Sequence, residues 1–203
     1  IGIKVLKKTI EDFFDNDGSP VNKNIYDLVQ CSKFLVLIKE CCKDAQEYIP
    51  DYLDDIVNKL VDCLHSIRTP TDKNPLFNGA TEFKIDGYLE YLSGLEYKSK
   101  TVIKKINGIY IAREKKSLLF FDVGSPPKKE YSKSYQSGPL SFEYFIDSHK
   151  IITNCGFGHK ISIKAELVSR LTSAQSTVCL NNSSVTKLER NSLINKTFGT
   201  SIK

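Results

Sequence analysis

The hydrophobic period changes from about 3.6 residues in the first half of the chain to 2 in the second half. This change limits the fold more than any other feature of the sequence. A period of 3.6 is that of an amphipathic helix, whereas a period of 2 is that of a strand with one buried face. The change falls near residue 98. The sequence therefore predicts an α+β protein with a helical unit at 1–98 and an antiparallel β unit at 99–203.

Two amphipathic helices are predicted in the first unit. Apolar residues recur at spacings of three and four from Leu28 to Cys42, which predicts a helix over 24–47. A second stripe follows Pro50, an early-turn residue, and ends before Thr69-Pro70. The short link between the two stripes predicts an antiparallel helix pair. A loop at 72–80 and a brief helix at 88–92 complete this unit.

Short strands with turn signals between them are predicted in the second unit. Asn107-Gly108, between apolar triplets at 101–103 and 109–111, is typical of a two-residue type I′ hairpin. Further strands are predicted at the ranges 118–123, 140–146, 150–153 and 176–180. This pattern is typical of a sandwich or a curled antiparallel sheet.

Charge is divided unevenly between the two units. Residues 1–98 hold 12 basic and 17 acidic side chains, a net charge of −5, whereas residues 99–203 hold 17 basic and 7 acidic side chains, a net charge of +10. A basic unit of this kind can attract a polyanion. The alternative is a solvated, lysine-rich surface without a partner.

Several classes of protein are disfavoured by the composition. No apolar run reaches the roughly 18 residues of a membrane span. The six cysteines lie outside zinc-type spacings and are interpreted mainly as small buried hydrophobes, and the three histidines are scattered. We therefore expect no metal site and no cofactor. Because the chain begins with Ile1 and contains no Met, it is interpreted as a fragment of a longer protein.

Two phrases in the second half are more specific than composition. The first is Ser137–Glu143 (SGPLSFE), which is followed by Ile151–Gly156 (IITNCG). The second is Arg170–Val178 (RLTSAQSTV). In letters, order and spacing they resemble the β domain of the heparinase II/III-like family, whose members commonly have HAGxLSFE, then VNCG, then RATAAHSTL.

The resemblance extends into the helical half and covers residues 10–190. Asp17-Gly18 followed by Asn24 resembles the family's DGGHxxRNP segment. Leu76–Gly79 (LFNG) resembles its LALFNG loop, and Phe121–Pro127 (FDVGSPP) resembles MDAGPPP. Several short motifs in one fixed order thus carry the resemblance.

The resemblance implies a fold and an activity. It implies the carboxy-terminal part of an (α/α) toroid at 1–98, followed by a truncated antiparallel β-sandwich at 99–203. It also implies a bacterial polysaccharide lyase, a carbon–oxygen lyase of the periplasm or cell envelope, that cleaves uronic-acid glycans such as glycosaminoglycans by β-elimination. The expected partner is an acidic polysaccharide rather than nucleic acid, and no oligomeric state is predicted.

Candidate catalytic residues follow from the family's motifs. β-Elimination needs a base for the C5 proton, an acid for the leaving oxygen, and a group that neutralises the uronate carboxylate. Tyr26 lies one residue short of the place of a family tyrosine, and Tyr135 is a second candidate. The histidines of HAGxLSFE and AAHST fall on Gln136 and Gln175, whose amides cannot transfer a proton. If the protein is a lyase, we expect Gln136, Gln175 and Arg170 to bind the uronate carboxylate.

Candidate binding residues also follow from the resemblance. Arg170 is a candidate substrate-binding residue, because a guanidinium can pair bidentately with a carboxylate or sulfate. Asn24, in the segment that resembles DGGHxxRNP, is a second candidate. Asn154 is the third, and it stands where some members have an aspartate that, with histidines of this region, holds zinc. Asparagine is a poorer ligand, so no zinc is predicted.

Three interpretations remain open. The protein is an active lyase, or a catalytically degenerate relative that binds acidic polysaccharide without cleaving it, or a cell-envelope or biosynthetic protein of another role that shares the fold alone. The two glutamines at histidine positions strengthen the second interpretation, and the family strengthens the first.

Overall fold

A computed structural model of the protein describes residues 2–191 and 196–202. The first half is helical, as predicted from its period. Its four helices are α1 (Gly2–Phe13), α2 (Ile25–Asp44), α3 (Asp51–Ser66) and α4 (Asp86–Gly94). Helices α2 and α3 confirm the two predicted stripes, whereas α1 was not predicted and α4 is longer than the brief helix expected at 88–92.

Helices α2 and α3 pack against each other through their apolar stripes. Leu28 of α2 and Leu60 of α3 are both fully buried. The Nζ of Lys39 lies 2.5 Å from a carboxylate oxygen of Asp54, so an ion pair joins α2 to the beginning of α3. A pair of helices with short chain between them buries both stripes in this way.

The second half forms a five-stranded antiparallel sheet with its strands in sequence order. The strands are β1 (Lys105–Ile106), β2 (Ile109–Arg113), β3 (Ser117–Asp122), β4 (Phe142–Ile146) and β5 (His149–Ile152). Ile106 pairs with Ile109 across the predicted turn. Asn107 and Gly108 both have positive φ, 50° and 86°, as a type I′ turn requires.

One face of this sheet shares a core with the helices. Alternate residues of β2 and β3, such as Ile111 and Phe120, are buried. They belong to the same cluster of buried hydrophobic residues as Leu60 and Leu92 of the helices. The period of 2 seen in the sequence therefore marks the sheet face that packs toward the helical half.

The last part of the chain contains α5 (Ile163–Ser169), which was not predicted, and two further strands. These strands, β6 (Thr186–Asn191) and β7 (Lys196–Ile202), pair with each other as a second, antiparallel sheet. No helix in the described residues is long and apolar enough to cross a membrane.

The predicted strand at 176–180 is wrong. The Ser176 hydroxyl bonds both the N–H and the carbonyl oxygen of Phe142, and the Thr177 hydroxyl donates to Pro139 O at 2.7 Å. Side-chain hydrogen bonds thus replace the strand ladder that the apolar alternation predicted.

The first strand of the hairpin was predicted at 101–103 but is β1, Lys105–Ile106. The carboxylate of Asp62 accepts a bond from Lys100 N at 2.7 Å, and the Ser66 hydroxyl accepts one from Ile103 N at 3.1 Å. This segment is therefore held by side chains of α3, and the ladder begins after it.

Candidate functional site

A cleft of about 560 Å³ lies between the start of α2 and the loops that follow the sheet strands. Residues of the first half line one part of it, and residues of the second half line the rest. The residues that line it are Phe13, Asn22, Asn24, Tyr26, Asp27, Gly79, Thr81, Glu130, Tyr131, Lys133, Ser134, Phe157, His159, Lys160 and Glu166. Two of the sequence-predicted site residues, Asn24 and Tyr26, are among them.

Asn24 and Tyr26 are held at the amino terminus of α2. Asn24 is the N-cap: its Oδ1 accepts a hydrogen bond from Tyr26 N at 2.9 Å, which satisfies a backbone donor at the helix start. Asn24 Nδ2 donates to the Ser134 hydroxyl at 3.4 Å, across the cleft wall. The ring of Tyr26 packs edge-on against Phe83 at 5.7 Å between centroids. The cap therefore fixes the Asn24 side chain, and the contact with Phe83 places the Tyr26 ring.

The opposite wall carries a histidine that the sequence did not single out. His159 lies in a 3-10 helix (Gly158–Lys160), exposed, with its ring stacked on Phe157 at 4.9 Å between centroids. The Nζ of the next residue, Lys160, lies 5.8 Å from the centroid of the Tyr26 ring. The segment of His159 and Lys160 is thus brought to Tyr26. In the sequence, the one signal for His159 is that it lies three residues after the IITNCG phrase that resembles the family motif.

Charges of both signs line this cleft. Lys133 and Lys160 are exposed cations, and Glu130, Glu166 and Asp27 are acids. Burial raises the pKa of Asp27, and the hydrogen bond from Asn22, 2.6 Å long, lowers it in part. The cleft therefore offers both cationic and protonatable groups to a polar ligand.

The LFNG loop (Leu76–Gly79) lies close to Ser134 and Asn24 and forms part of the cleft wall. Gly79 has φ of 96°, and a Cβ on it would lie 2.5 Å from Ser134 Cβ and 2.9 Å from Asn24 Nδ2. Only glycine combines this conformation with this contact. Gly79 N donates to Gln136 Oε1 at 3.0 Å, so the cleft wall is tied to the layer behind it.

Gln136 lies in that layer and not in the cleft. It is 2% exposed, and its Nε2 donates to Gly156 O at 2.8 Å and to Ser169 O at 2.7 Å. Its neighbour Tyr135 is fully buried, and burial raises the pKa of the phenol. No hydrogen-bond partner of the Tyr135 hydroxyl is found among the described residues.

Arg170 is also fully buried. Its Nε donates to Tyr135 O at 2.9 Å and its Nη2 to Ser132 O at 3.0 Å, and burial lowers its pKa to about 10. The guanidinium thus holds the backbone of the segment that leads to Gln136. It does not line the cleft with Tyr26.

Gln175 and Asn154 belong to the same layer. Gln175 Nε2 donates to Ser169 O at 2.7 Å. Asn154 is 2% exposed, and its Oδ1 accepts bonds from both N and Oγ of Ser176 at 3.0 Å. The candidate residues therefore fall into two groups: Asn24 and Tyr26 at the cleft, and the other five in a layer behind it, where Gln175 is half-buried and the other four are buried.

The fold and these two groups define an α+β protein in which a helical unit and an antiparallel sheet share a core, with a cleft at the start of α2. Residues 106–202 match the family described as heparinase II/III-like, C-terminal. The resemblance to the heparinase II/III-like family that the motifs predicted is therefore confirmed.

Solved structures with the same fold support this class. The chain superposes on heparan sulfate lyase HepC from Pedobacter heparinus with a TM-score of 0.73 at 17% identity, and 94% of this chain and 35% of the lyase are covered. It superposes on a heparinase III with a TM-score of 0.74 at 11% identity, and 93% of this chain and 36% of that chain are covered.

At these low sequence identities, the superpositions show that the folds are alike. The chain spans about a third of the length of the lyases that it matches. The search of curated proteins found no match.

Proposed function

We propose that the protein is a polysaccharide lyase that cleaves an acidic, uronic-acid-containing glycan by β-elimination, a carbon–oxygen lyase reaction. The observation that carries this proposal is the cleft in which Tyr26 and Asn24 lie opposite the His159 segment. Tyrosine and histidine can each take or give a proton, which is what elimination requires at C5 and at the leaving oxygen. We assign the two proton transfers to this pair.

Asn24 is the proposed carboxylate-neutralising group. Its Oδ1 is used by the helix cap, so its orientation is set and Nδ2 is turned to the cleft wall. An amide nitrogen carries two hydrogens, and only one is used by Ser134. The other can donate to the uronate carboxylate as charge develops during proton removal.

Lys133 and Lys160 support an acidic substrate. Both are exposed cations at the cleft, in the unit whose net charge is +10. Cations in a concave site raise the local concentration of an anionic polymer. A glycosaminoglycan-type polymer is therefore the proposed substrate class.

Tyr26 is favoured over Tyr135 as the proton carrier. Tyr135 is fully buried, whereas Tyr26 lies half-buried at the cleft. For Tyr135, Gln136, Gln175, Asn154 and Arg170 we propose a positioning role rather than substrate contact, because each is bonded within the layer behind the cleft.

We further propose the toroid arrangement for the helical half, 1–98, and a β-sandwich domain for 99–203. Phe34 and Leu37 of α2 are 64% and 57% exposed, although both are large apolar residues. In a toroid such a face packs on a neighbouring helix pair. A periplasmic or envelope location follows from the family and belongs to the same proposal.

A second candidate function is binding without cleavage. It is favoured by Gln136 and Gln175, which stand at histidine positions of the family and cannot transfer protons. In this alternative the cleft holds an acidic polysaccharide, and His159 does not act on it.

The test is product formation by the full-length protein on heparan sulfate, alginate and a bacterial uronic-acid polymer. β-Elimination creates a C4–C5 double bond, which is followed by its ultraviolet absorbance. We expect product from the wild type and a loss of about 100-fold or more in kcat for Tyr26→Phe. Tyr110→Phe, an exposed residue of β2, is the matched control and keeps full activity. Binding to one polymer without product on any of them would support the second candidate.

A further inference from the structure

The layer behind the cleft corresponds to the place where some members of the family hold zinc, through histidines and an aspartate. The corresponding residues here are Gln136, Gln175 and Asn154. No group of three or more His, Cys, Asp and Glu side chains that could hold a metal ion occurs in the described part of the chain. A metal ion could bind in this layer only if the side chains direct free lone pairs toward one point.

The Nε2 groups of both glutamines and the side-chain oxygens of Gln136 and Asn154 are bonded within the protein, whereas Asn154 Nδ2 has no hydrogen-bond partner among the described residues. Nε2 of Gln136 and Nε2 of Gln175 both donate to Ser169 O, each at 2.7 Å. Gln136 Oε1 accepts from Gly79 N, and Asn154 Oδ1 accepts from Ser176. Zinc needs lone pairs of nitrogen, sulfur or carboxylate oxygen. The glutamine amides present N–H groups to carbonyls and to the Cys155 thiol, so this layer offers one sulfur and no group of three ligands, and a zinc ion does not fit it.

We propose that Gln136, Gln175 and Asn154 form a metal-independent cross-link. Their hydrogen bonds join the chain segments that a zinc ion would otherwise hold together. The Ser169 carbonyl, at the end of α5, is shared by both glutamines. Through Gln136 this point is joined to Gly156 O and to Gly79 N. The cross-link therefore connects α5, the turn after β5 and the LFNG loop.

The amide is specifically suited to this position. The Nε2 of Gln136 carries two hydrogens and donates them to the carbonyl oxygens of Gly156 and Ser169. Its Oε1 accepts a hydrogen bond from Gly79 N. A neutral imidazole has one N–H and cannot make this set of bonds. A carboxylate has no N–H at all and would face both carbonyls. The three bonds thus distinguish Gln136 from both histidine and glutamate.

Gln175 is fixed by packing as well. A Cβ on Gly138 would lie 3.0 Å from Gln175 Cγ, so the glutamine stem rests on the glycine of the SGPLSFE phrase. That glycine leaves the space that the side chain occupies. Asn154 joins the layer through Ser176, which in turn bonds Phe142 of β4.

The first experiment measures bound zinc and thermal unfolding of the purified full-length protein, with and without a chelator. We expect substoichiometric zinc and an unchanged Tm after chelation. Stoichiometric zinc whose removal lowers the Tm would overturn the proposal. These readouts do not depend on lyase activity, so the proposal can fail while the proposed function stands, and the reverse.

The second experiment tests the amides themselves. Gln136→Glu keeps the size of the side chain but removes both donors, and we expect the Tm to fall by about 5 °C or more. Gln46→Glu, at an exposed position outside the layer, is the matched control and leaves the Tm unchanged. An unchanged Tm for Gln136→Glu would overturn the proposal.

The third experiment exchanges amides for ligands. The triple variant Gln136→His, Asn154→Asp, Gln175→His should be less stable than the wild type without zinc, and added zinc should raise its Tm reversibly. A triple variant as stable as the wild type in the presence of a chelator would overturn the proposal, because the amides would then contribute nothing.

Discussion

The Nζ of Lys150 lies 3.0 Å from Oε2 of Glu143, whose side chain is fully buried. Glu143 is the acid of the SGPLSFE phrase, and its Oε1 also accepts from Thr153 Oγ1 at 2.8 Å and Asn154 N at 3.0 Å. Leu76 N donates to Oε2 at 3.2 Å. One buried carboxylate therefore joins β4, the end of β5 and the start of the LFNG loop.

Removing Lys150 should destabilise the protein through Glu143. In Lys150→Met the hydrophobic stem is kept, but the buried carboxylate loses its cation. Because three neutral donors remain, we expect a loss of about 2 kcal/mol in the free energy of unfolding, below the usual cost of a broken buried ion pair. Urea unfolding of the wild type and the variant measures it. Lys115→Met, at an exposed position, serves as control, and equal midpoints for all three proteins would contradict the assignment.

Two substitutions at Asn24 should separate its two roles. Asn24→Ala removes the N-cap of α2 and should cost about 1 kcal/mol of stability. Asn24→Asp keeps an oxygen that can accept from Tyr26 N but removes the Nδ2 donor. We expect near wild-type unfolding with a large loss of elimination activity. Thermal unfolding and product absorbance on the same preparations check both effects. Full activity of Asn24→Asp would remove Asn24 from the proposed site.

Asp122 should make stability depend on pH above the ordinary pKa of an aspartate. It is 1% exposed, and burial raises its pKa above 3.8, although Lys23 and Gly124 N oppose the rise. Because the folded pKa is above the unfolded one, the contribution of Asp122 is fully present below pH 3.8 and is lost as pH rises through the folded pKa.

The variant Asp122→Asn cannot ionise and should not show this loss. Its stability relative to the wild type should therefore rise as the pH rises above 3.8 and through the raised folded pKa of Asp122. Urea unfolding at several pH values measures the difference. Asp147→Asn, at an exposed position, should show a constant difference, and a constant difference for Asp122→Asn would contradict the assigned pKa shift.

Local sequence patterns correctly predicted the helices and turns whose structure depends on residues close together in the sequence. The stripe of α3 and the turn at Asn107-Gly108 are of this kind, since periodicity and positive φ are properties of a few neighbouring residues. The strand expected at 176–180 failed, because Ser176 bonds the backbone of Phe142, a residue far away in the sequence.

The candidate site was predicted only in part for the same reason. The motif pattern in the sequence singled out Asn24 and Tyr26, which lie at the cleft, and marked Gln136 and Gln175 as unusual residues. It did not find His159, whose approach to α2 depends on how the turn after β5 packs. It also gave no sign that Arg170 is buried, since a guanidinium bonded to backbone carbonyls leaves no pattern in the sequence.

His159 and Lys160 should have different kinetic effects if the proposed division of roles is right. His159→Gln removes a proton carrier, so kcat should fall by about 100-fold or more with little change in KM. Lys160→Gln removes a cation that attracts the polymer, so KM should rise, more at low salt than at high salt, with kcat kept. Initial rates of double-bond formation over a range of substrate concentrations give both constants. His149→Gln, at an exposed position of β5 outside the cleft, is the control for the first variant. If His159→Gln instead raised KM alone, His159 would bind substrate and the second proton transfer would belong to another group.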